Sequence, residues 1–301
     1  MTFTRTAFCL ALCITIGAGL VDAQQTTGGL FPRPFVVEHT VTITEPDGGS
    51  FTSEPVVDHY GGSMIVSVRA DGSRLIVDFA RRELTEIRFS SATYTVITFD
   101  RFAQLSRDYQ SLEGPPVLKS AGEDTPEFEF KVSETDPVGS TKMTTAKALS
   151  TSGGVLDRPG LRRLEVMVET DGEPAAQPAL EAWVDSNHRF SPQAMDAVED
   201  FELGVLRASV DERGMVPLKA LATARRHADG AVPVITARPT LQGGGLIEDV
   251  ATRIEPLVAF PTDLVSIPEG LKRTAHPLEL MVAHAEREAE LRELMGGGVD
   301  Q

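Results

Sequence analysis

The chain has 301 residues, of which 41% are hydrophobic, and a formal net charge of −16 at pH 7. Such an acidic balance argues against proteins that bind nucleic acid or anionic membrane surfaces, because both depend on basic patches. The length allows one large domain or two small ones, and a chain of this size buries roughly 75% of its unfolded surface.

Residues 1–23 have the pattern of a secretory signal peptide. Arg5 supplies a positive charge, an apolar run extends from Ala7 to Leu20, and Ala23 is a small residue at the cleavage position. The run is shorter than the roughly 20 residues that a membrane-spanning helix needs, although an uncleaved anchor is the alternative. We therefore expect a periplasmic or secreted mature protein that begins after Ala23 and has no integral membrane segment.

Both cysteines of the chain, Cys9 and Cys13, lie inside this N-terminal segment. The mature protein is therefore expected to have neither a disulfide nor thiol chemistry, and its core alone must stabilise it. Leu12 is large where a lipid-attachment signal has a small residue, so we expect no lipid anchor at Cys13.

The first half of the mature chain is dominated by strand patterns. Residues 24–33 are predicted to form a flexible leader, and β-branched residues alternate with polar ones over 35–44. Four alternating runs between Met64 and Phe99 predict an antiparallel meander, and Asp71-Gly72 between the first two is a strong hairpin signal. A helix is predicted over 100–109.

The second half mixes strands with helices. Strands are predicted over 128–132, 164–170, 180–184, 232–238, 247–257 and 265–270, and helices over 192–206, 218–227 and 277–295, with a mobile loop over 136–160. Ser191 is a good N-cap and Pro192 suits a first helical turn. The last helix has only a thin apolar stripe, which is typical of a solvated or partner-binding helix.

This order of elements predicts an α+β fold that is mainly antiparallel β. We expect a single β-rich domain over 34–275, in which a curved meander sheet forms an incomplete barrel with a few helices on its concave face. A charged C-terminal helix and a disordered tail would follow over 276–301.

Several short patterns carry a family resemblance. They are Met64-x-Val66-x-Val68, Asp71-Gly72, Leu75–Asp78, Leu84–Ile87, Tyr94–Phe99, the tryptophan strand Glu181–Asp185 and the ending Ile267-Pro268-Glu269-Gly270. Together they resemble an exported bacterial domain-of-unknown-function family related to the LolA/LolB lipoprotein carriers. The resemblance implies an incomplete barrel around helices, with an apolar cavity for a hydrophobic or lipid-like ligand, such as a lipid or a lipoprotein.

The apolar residues of the meander support two interpretations, an ordinary filled core or the lining of a ligand cavity. Half-barrels with a thin helix layer tend to leave concave apolar space. The candidate ligand-binding residues are Val66, Val68, Leu75, Val77, Phe79, Phe89, Tyr94, Val96 and Trp183.

Catalytic motifs are missing from the sequence. It has no His-Glu-x-x-His zinc motif, no Gly-x-Ser-x-Gly elbow and no phosphate-binding loop. The nearest approaches to a metal site are Asp58-His59 and Asp185-x-x-His188, which we interpret as ordinary polar residues. We therefore predict a non-enzymatic protein without cofactor or metal.

Two further functions stay open. One is a cell-envelope interaction or scaffold module that uses the C-terminal helix and the 136–160 loop to bind a protein partner. The other, more remote, is an envelope hydrolase, since so acidic a chain offers many carboxylate pairs.

Overall fold

A computed structural model of the protein describes residues 29–112, 128–135, 161–170, 173–206, 212–240 and 244–296. The strands are β1 (Phe31–Thr44), β2 (Ser50–Thr52), β3 (Val56–Gly62), β4 (Met64–Arg69), β5 (Arg74–Asp78), β6 (Glu83–Arg88), β7 (Thr93–Thr98), β8 (Phe128–Thr135), β9 (Leu161–Thr170), β10 (Glu173–Pro174), β11 (Leu180–Arg189), β12 (Ala231–Pro239), β13 (Leu246–Pro256) and β14 (Lys272–Arg273). The helices are α1 (Phe99–Leu112), α2 (Pro192–Glu199), α3 (Glu212–His227) and α4 (Pro277–Gly296).

The described strands form one open sheet. Its order is β10-β9-β11-β12-β13-β1-β3-β4-β5-β6-β7-β14, while β2 pairs with β1 and β8 pairs with β9. All neighbours are antiparallel except β14 and β7, which run parallel. The mainly antiparallel α+β class is thus confirmed. The sheet is open and does not close into a barrel, which is compatible with the predicted incomplete barrel. The predicted 136–160 loop and the tail after residue 296 lie outside the described residues.

β1 lies in the middle of the sheet and joins its two halves, because it pairs with β13 on one side and β3 on the other. It begins at Phe31, inside the region that the sequence predicts as a leader. The reason is packing: the Phe31 ring is buried and contacts the rings of Tyr60 and Phe190, with centroids 5.5 and 5.6 Å away.

The helices pack on one face of the sheet, which we call the inner face. The main core there combines strand residues such as Val37, Ile65 and Val77 with Leu105 of α1 and Val198 of α2. A second cluster of alanines on α3 packs against β9 and β11. Small side chains let this helix approach the sheet closely.

Ser191 begins α2 as predicted, since its hydroxyl accepts a hydrogen bond from the Ala194 N–H at 3.1 Å and Pro192 occupies the first turn. The predicted single helix over 192–206 is nevertheless interrupted. From Asp200 to Val205 the backbone is a π-helix, in which the Leu206 N–H donates to the Phe201 carbonyl.

The opposite, outer face of the meander is covered by the segment after β13. Phe260, Leu264, Val265 and Leu271 pack against Val66, Ile76 and Ile87. The predicted strand over 265–270 is wrong: a 3-10 turn spans Thr262–Leu264, and Pro268 has no N–H to donate to a ladder. A Cβ at Gly61 would collide with the Phe260 ring, which explains this glycine.

Candidate functional site

A cavity of about 210 Å³ lies on the inner face, between strands β4–β7, helices α1 and α4 and the segment 201–206 that follows α2. Its apolar lining consists of Leu75, Leu84, Phe102, Phe201, Leu206, Pro277, Leu278 and Met281. Its polar lining consists of Arg69, Glu86, Arg88, Thr95, Ser106, Tyr109, Gln110 and His276. The C-terminal helix α4 thus forms one wall of the cavity.

Regular spacing explains why α1 can line this cavity along its length. Phe102, Ser106 and Tyr109 are four and three residues apart, so they share one helix face. From the sheet, Glu86 and Thr95 are cross-strand partners on β6 and β7 and therefore lie side by side.

Two buried hydroxyl groups in the cavity wall lack a hydrogen-bond partner among the described residues. These are Thr95 Oγ1, on a residue that is 6% exposed, and Ser106 Oγ, on a residue that is 2% exposed. A buried polar group without a partner costs roughly 1–3 kcal/mol, and native proteins seldom retain one without a reason. The cavity therefore offers two unused hydrogen-bonding positions on opposite walls.

Arginine side chains contribute positive charge to the cavity lining, in a protein whose overall charge is strongly negative. Arg88 donates to Glu86 at 2.7 Å and is thereby partly neutralised. Arg69 is exposed and makes no ion pair within the ranges that the structure describes. Asp71 is a nearby negative charge, but Arg69 makes no direct bond to it, so its guanidinium can still donate to an anionic group at the edge of the cavity.

His276 fixes the start of α4 beside the cavity. The backbone N–H of His276 donates to Glu279 Oε2 at 2.9 Å, and the ring Nδ1 of His276 accepts from the backbone N–H of Leu278 at 3.2 Å. This reciprocal arrangement is like a capping box. Burial lowers the pKa of His276, although Glu86 and Glu279 oppose this. The neutral ring keeps the Nδ1 lone pair that the cap requires.

A second cavity of about 270 Å³ lies next to the first on the inner face. It is lined by Leu30, Ser63, Phe79, Ala80, Arg82, Phe99, Ala197, Asp200, Phe201 and Val205. Phe201 is common to both cavities.

The nine residues predicted from the sequence do not lie together. Leu75 lines the first cavity and Phe79 the second, while Val77 and Trp183 are buried in the main core. Val66, Val68 and Tyr94 belong to the outer-face cluster, Val96 shares their side of β7 by alternation, and Phe89 is exposed beside the Arg74 guanidinium. These residues therefore do not line one common cavity, and a ligand-binding role for them stays a prediction.

The hairpin between β4 and β5 explains this separation. The Arg69 N–H donates to the Ser73 carbonyl at 3.0 Å and the Gly72 N–H donates to the Arg69 carbonyl at 2.8 Å, so the loop contains the three residues 70–72. Gly72 has φ +79°, the left-handed conformation that follows the turn in such three-residue loops.

The loop length sets the register of the two strands. A two-residue Asp71-Gly72 loop would pair Val66 with Val77 on one face. The observed loop pairs Val66 with Ile76 and Val77 with Ile65. A shift of one residue moves a side chain to the other face, so Val66 and Val77 lie on opposite sides of the sheet.

A second group of polar side chains is buried deep between β1, β3 and β13. His39 Nδ1 lies 2.9 Å from Asp249 Oδ1, and His39 Nε2 lies 3.3 Å from Asp58 Oδ2. The Tyr60 hydroxyl donates to Asp58 Oδ2 at 3.3 Å. All four side chains are almost completely inaccessible to solvent.

This buried group has a perturbed histidine. Burial disfavours the charged ring, but Coulombic attraction by Asp249 and Asp58 and hydrogen bonds that the ring donates to their carboxylates outweigh it and hold the His39 pKa well above its ordinary value. Perturbed groups often mark active sites, yet a catalytic group must be reachable by a substrate. We therefore infer that the His39 group has a structural role and links strands β1, β3 and β13.

A second buried ion pair connects two helical elements. Arg225 of α3 makes two hydrogen bonds of 2.7 Å to the carboxylate of Glu202 in the π-helical segment. Because both side chains are almost fully buried, each charge depends on the other for compensation.

The sequence does not reveal these buried polar contacts, and the reason is clear. His39 and Asp249 are 210 positions apart, so no local spacing relates them. The sequence instead pairs Asp58 with the adjacent His59, whereas the fold directs Asp58 to His39. Among the described residues, no group of three or more His, Cys, Asp or Glu could hold a metal ion.

The C-terminal helix also presents apolar side chains to solvent. Leu280 is 62% exposed and Leu291 is 55% exposed, on a helix that contacts α1 through its other side. A protein partner for this helix stays a prediction of the sequence. No helix in the described ranges is long and apolar enough to cross a membrane.

Comparison with known proteins gives little beyond this. No protein-family model matches the chain, and no curated protein matches it significantly. An uncharacterized conserved protein from Thermus thermophilus is similar in structure over 81% of this chain and 91% of its own, with 7% identity and a TM-score of 0.35. A LolA superfamily protein from Nitrosomonas europaea is similar in structure over 78% of this chain and 90% of its own, with 9% identity and a TM-score of 0.28. The second likeness agrees loosely with the LolA/LolB resemblance, but at such TM-scores neither carries an argument about function.

Proposed function

We propose that this protein is an exported, non-enzymatic binding protein for a small amphipathic ligand, whose apolar part occupies the first cavity. The observation that carries the proposal is the pair of hydroxyls of Thr95 and Ser106, which lie in the wall of this cavity and have no hydrogen-bond partner among the described residues. A ligand that bonds to both would remove their desolvation cost and gain affinity.

The size of the cavity limits the ligand. Its volume of about 210 Å³ is below the roughly 300–1,000 Å³ of ordinary small-molecule sites. The first cavity alone therefore suits a small molecule or one end of a longer apolar chain.

Charge favours an anionic polar group on that ligand. Arg69 makes no ion pair in the described part of the chain, and Arg88 lies in the same lining. A carboxylate or phosphate at this edge would gain charge-assisted hydrogen bonds while its apolar part remains inside. A fatty carboxylate is the simplest molecule of this chemistry.

The first prediction concerns Ser106. We expect Ser106→Leu to weaken binding of dodecanoate by about tenfold or more, because leucine fills the cavity and removes one hydroxyl. Isothermal titration calorimetry with dodecanoate measures this.

Ser111→Leu is the matched control, since Ser111 is exposed on the same helix and bonds only locally, to the Asp108 carbonyl. We expect it to bind dodecanoate as the wild type does. Equal affinity of the folded Ser106→Leu protein and its control, or no binding by the wild type, would contradict the proposal.

Export is a separate part of the proposal, and it rests on the signal-peptide pattern of residues 1–23. We expect the protein recovered from the periplasm or medium to begin at Gln24. Intact-mass measurement checks this, and a protein that retains Met1 in the cell interior would contradict it.

A further inference from the structure

The two inner-face cavities meet at one side chain. Phe201 lines both, and their volumes of about 210 and 270 Å³ add up to about 480 Å³, which is within the roughly 300–1,000 Å³ of ordinary ligand sites. We propose that Phe201 is a gate that divides one elongated site and limits the length of apolar chain that the protein accepts. This inference rests on the proposed binding function.

The surroundings of Phe201 suit the passage of an apolar chain. Its ring centroid lies 4.9 Å from that of Phe99 and 6.1 Å from that of Phe79, both of which line the second cavity. Leu206 and Leu75 lie on the other side, in the first cavity. A chain that passes Phe201 would therefore meet apolar walls on both sides of the ring.

The backbone at Phe201 has an unusual, π-helical conformation. Phe201 lies in the π-helical segment 200–205, and its carbonyl accepts from the Leu206 N–H, five residues later. π-helical turns are rare and occur frequently at functional sites, because the wider turn displaces side chains from regular helical packing.

Charged groups mark the two ends of the elongated site. Arg69 and Arg88 lie in the first cavity, and Arg82 lies in the second. Arg82 is already bonded to Asp100 at 3.2 Å and lies over the Phe99 ring. The less neutralised first end therefore suits the anionic head group, and the apolar chain extends towards the second cavity.

The test compares octanoate with hexadecanoate, both below their aggregation limits. In the wild type, we expect the longer chain to bind little better than the shorter one, because Phe201 stops it. In Phe201→Ala, we expect the ratio of hexadecanoate to octanoate affinity to rise by about tenfold or more.

Phe190→Ala is the matched control. Phe190 is equally part of the main core, where it contacts Phe31 and Tyr60, but it is not among the described residues that line either cavity. We expect it to lose a similar amount of stability and to keep the wild-type affinity ratio. Phe201→Leu retains most of the packing and gives a smaller opening, so it replaces Phe201→Ala if that variant fails to fold.

The outcomes separate the two proposals. If the wild type binds octanoate and neither Phe201 variant changes the affinity ratio, the gate is overturned and the proposed function stands. If the wild type binds neither probe, both are overturned. A rise that Phe190→Ala also produces would assign the effect to general loosening of the core and overturn the gate.

Discussion

Glu202→Ala is expected to lower the free energy of unfolding by about 3–5 kcal/mol, because it leaves the Arg225 guanidinium buried without its anion. Both side chains are almost completely buried, at 2% and 3% exposure, and they share two hydrogen bonds of 2.7 Å. The substitution also removes the ion pair that links α3 to the π-helical segment, which contains Phe201. Urea unfolding monitored by circular dichroism measures the loss.

The neighbouring ion pair provides a matched control. Arg226 of α3 bonds to Glu199, the last residue of α2, at 2.6 Å, but the Arg226 side chain is 54% exposed. An exposed pair contributes only about 0–1 kcal/mol, so Glu199→Ala should have little effect. A loss in Glu202→Ala no larger than that in Glu199→Ala would contradict the prediction.

A double replacement distinguishes the cost of an uncompensated buried Arg225 charge from the loss of the Glu202 side-chain contacts. In Glu202→Met with Arg225→Met, both charges are absent and apolar side chains fill similar space. We expect this protein to recover most of the stability lost in Glu202→Ala, since replacing a buried pair by apolar residues is often nearly neutral.

The second large effect is a loss of stability with rising pH, caused by His39. Its folded-state pKa is well above the ordinary value because Asp249 and Asp58 outweigh the burial that opposes its charge. Because the pKa of His39 is higher in the folded than in the unfolded state, its protonation stabilises the folded protein. This contribution is complete below the unfolded-state pKa of about 6.5 and is lost as the pH rises through the folded-state pKa. Between pH 6 and pH 9 we therefore expect the free energy of unfolding of the wild type to fall as the pH rises.

Two variants assign this loss to His39. His39→Gln cannot titrate, so we expect it to be less stable than the wild type at pH 6 and nearly independent of pH from 6.5 to 9. His59→Gln is the control: burial lowers the pKa of His59, so its titration affects stability only below about pH 6.5. It should retain the wild-type loss.

Other groups in contact with this site do not mimic the effect. Burial, followed by the Asp58 charge, raises the Tyr60 pKa well above its ordinary value, so this hydroxyl stays neutral over the range. Denaturant unfolding at pH 6, 7, 8 and 9 gives the comparison. A wild type of constant stability from pH 6 to 9 would contradict the protonated state of His39.

Local patterns in the sequence determined most of the secondary structure. Alternation predicts the strands from Met64 to Thr98, because a half-buried strand must present apolar side chains with period two. The same holds for the start of α2 at Ser191, where a hydroxyl caps a free N–H. These features need no distant part of the chain.

Tertiary structure decided everything that depends on which residues meet. The three-residue loop at 70–72 shifts the hairpin register and sends Val66 to the outer face, a difference of one residue that alternation alone does not reveal. His39 meets Asp249 only because β1 pairs with β13 across more than 200 positions. The cavity likewise exists only where α1, α4, the segment 201–206 and four strands, β4 to β7, come together. Its hydroxyls, Thr95 and Ser106, have no sequence signature, because the sequence does not show whether a serine or threonine hydroxyl has a hydrogen-bond partner.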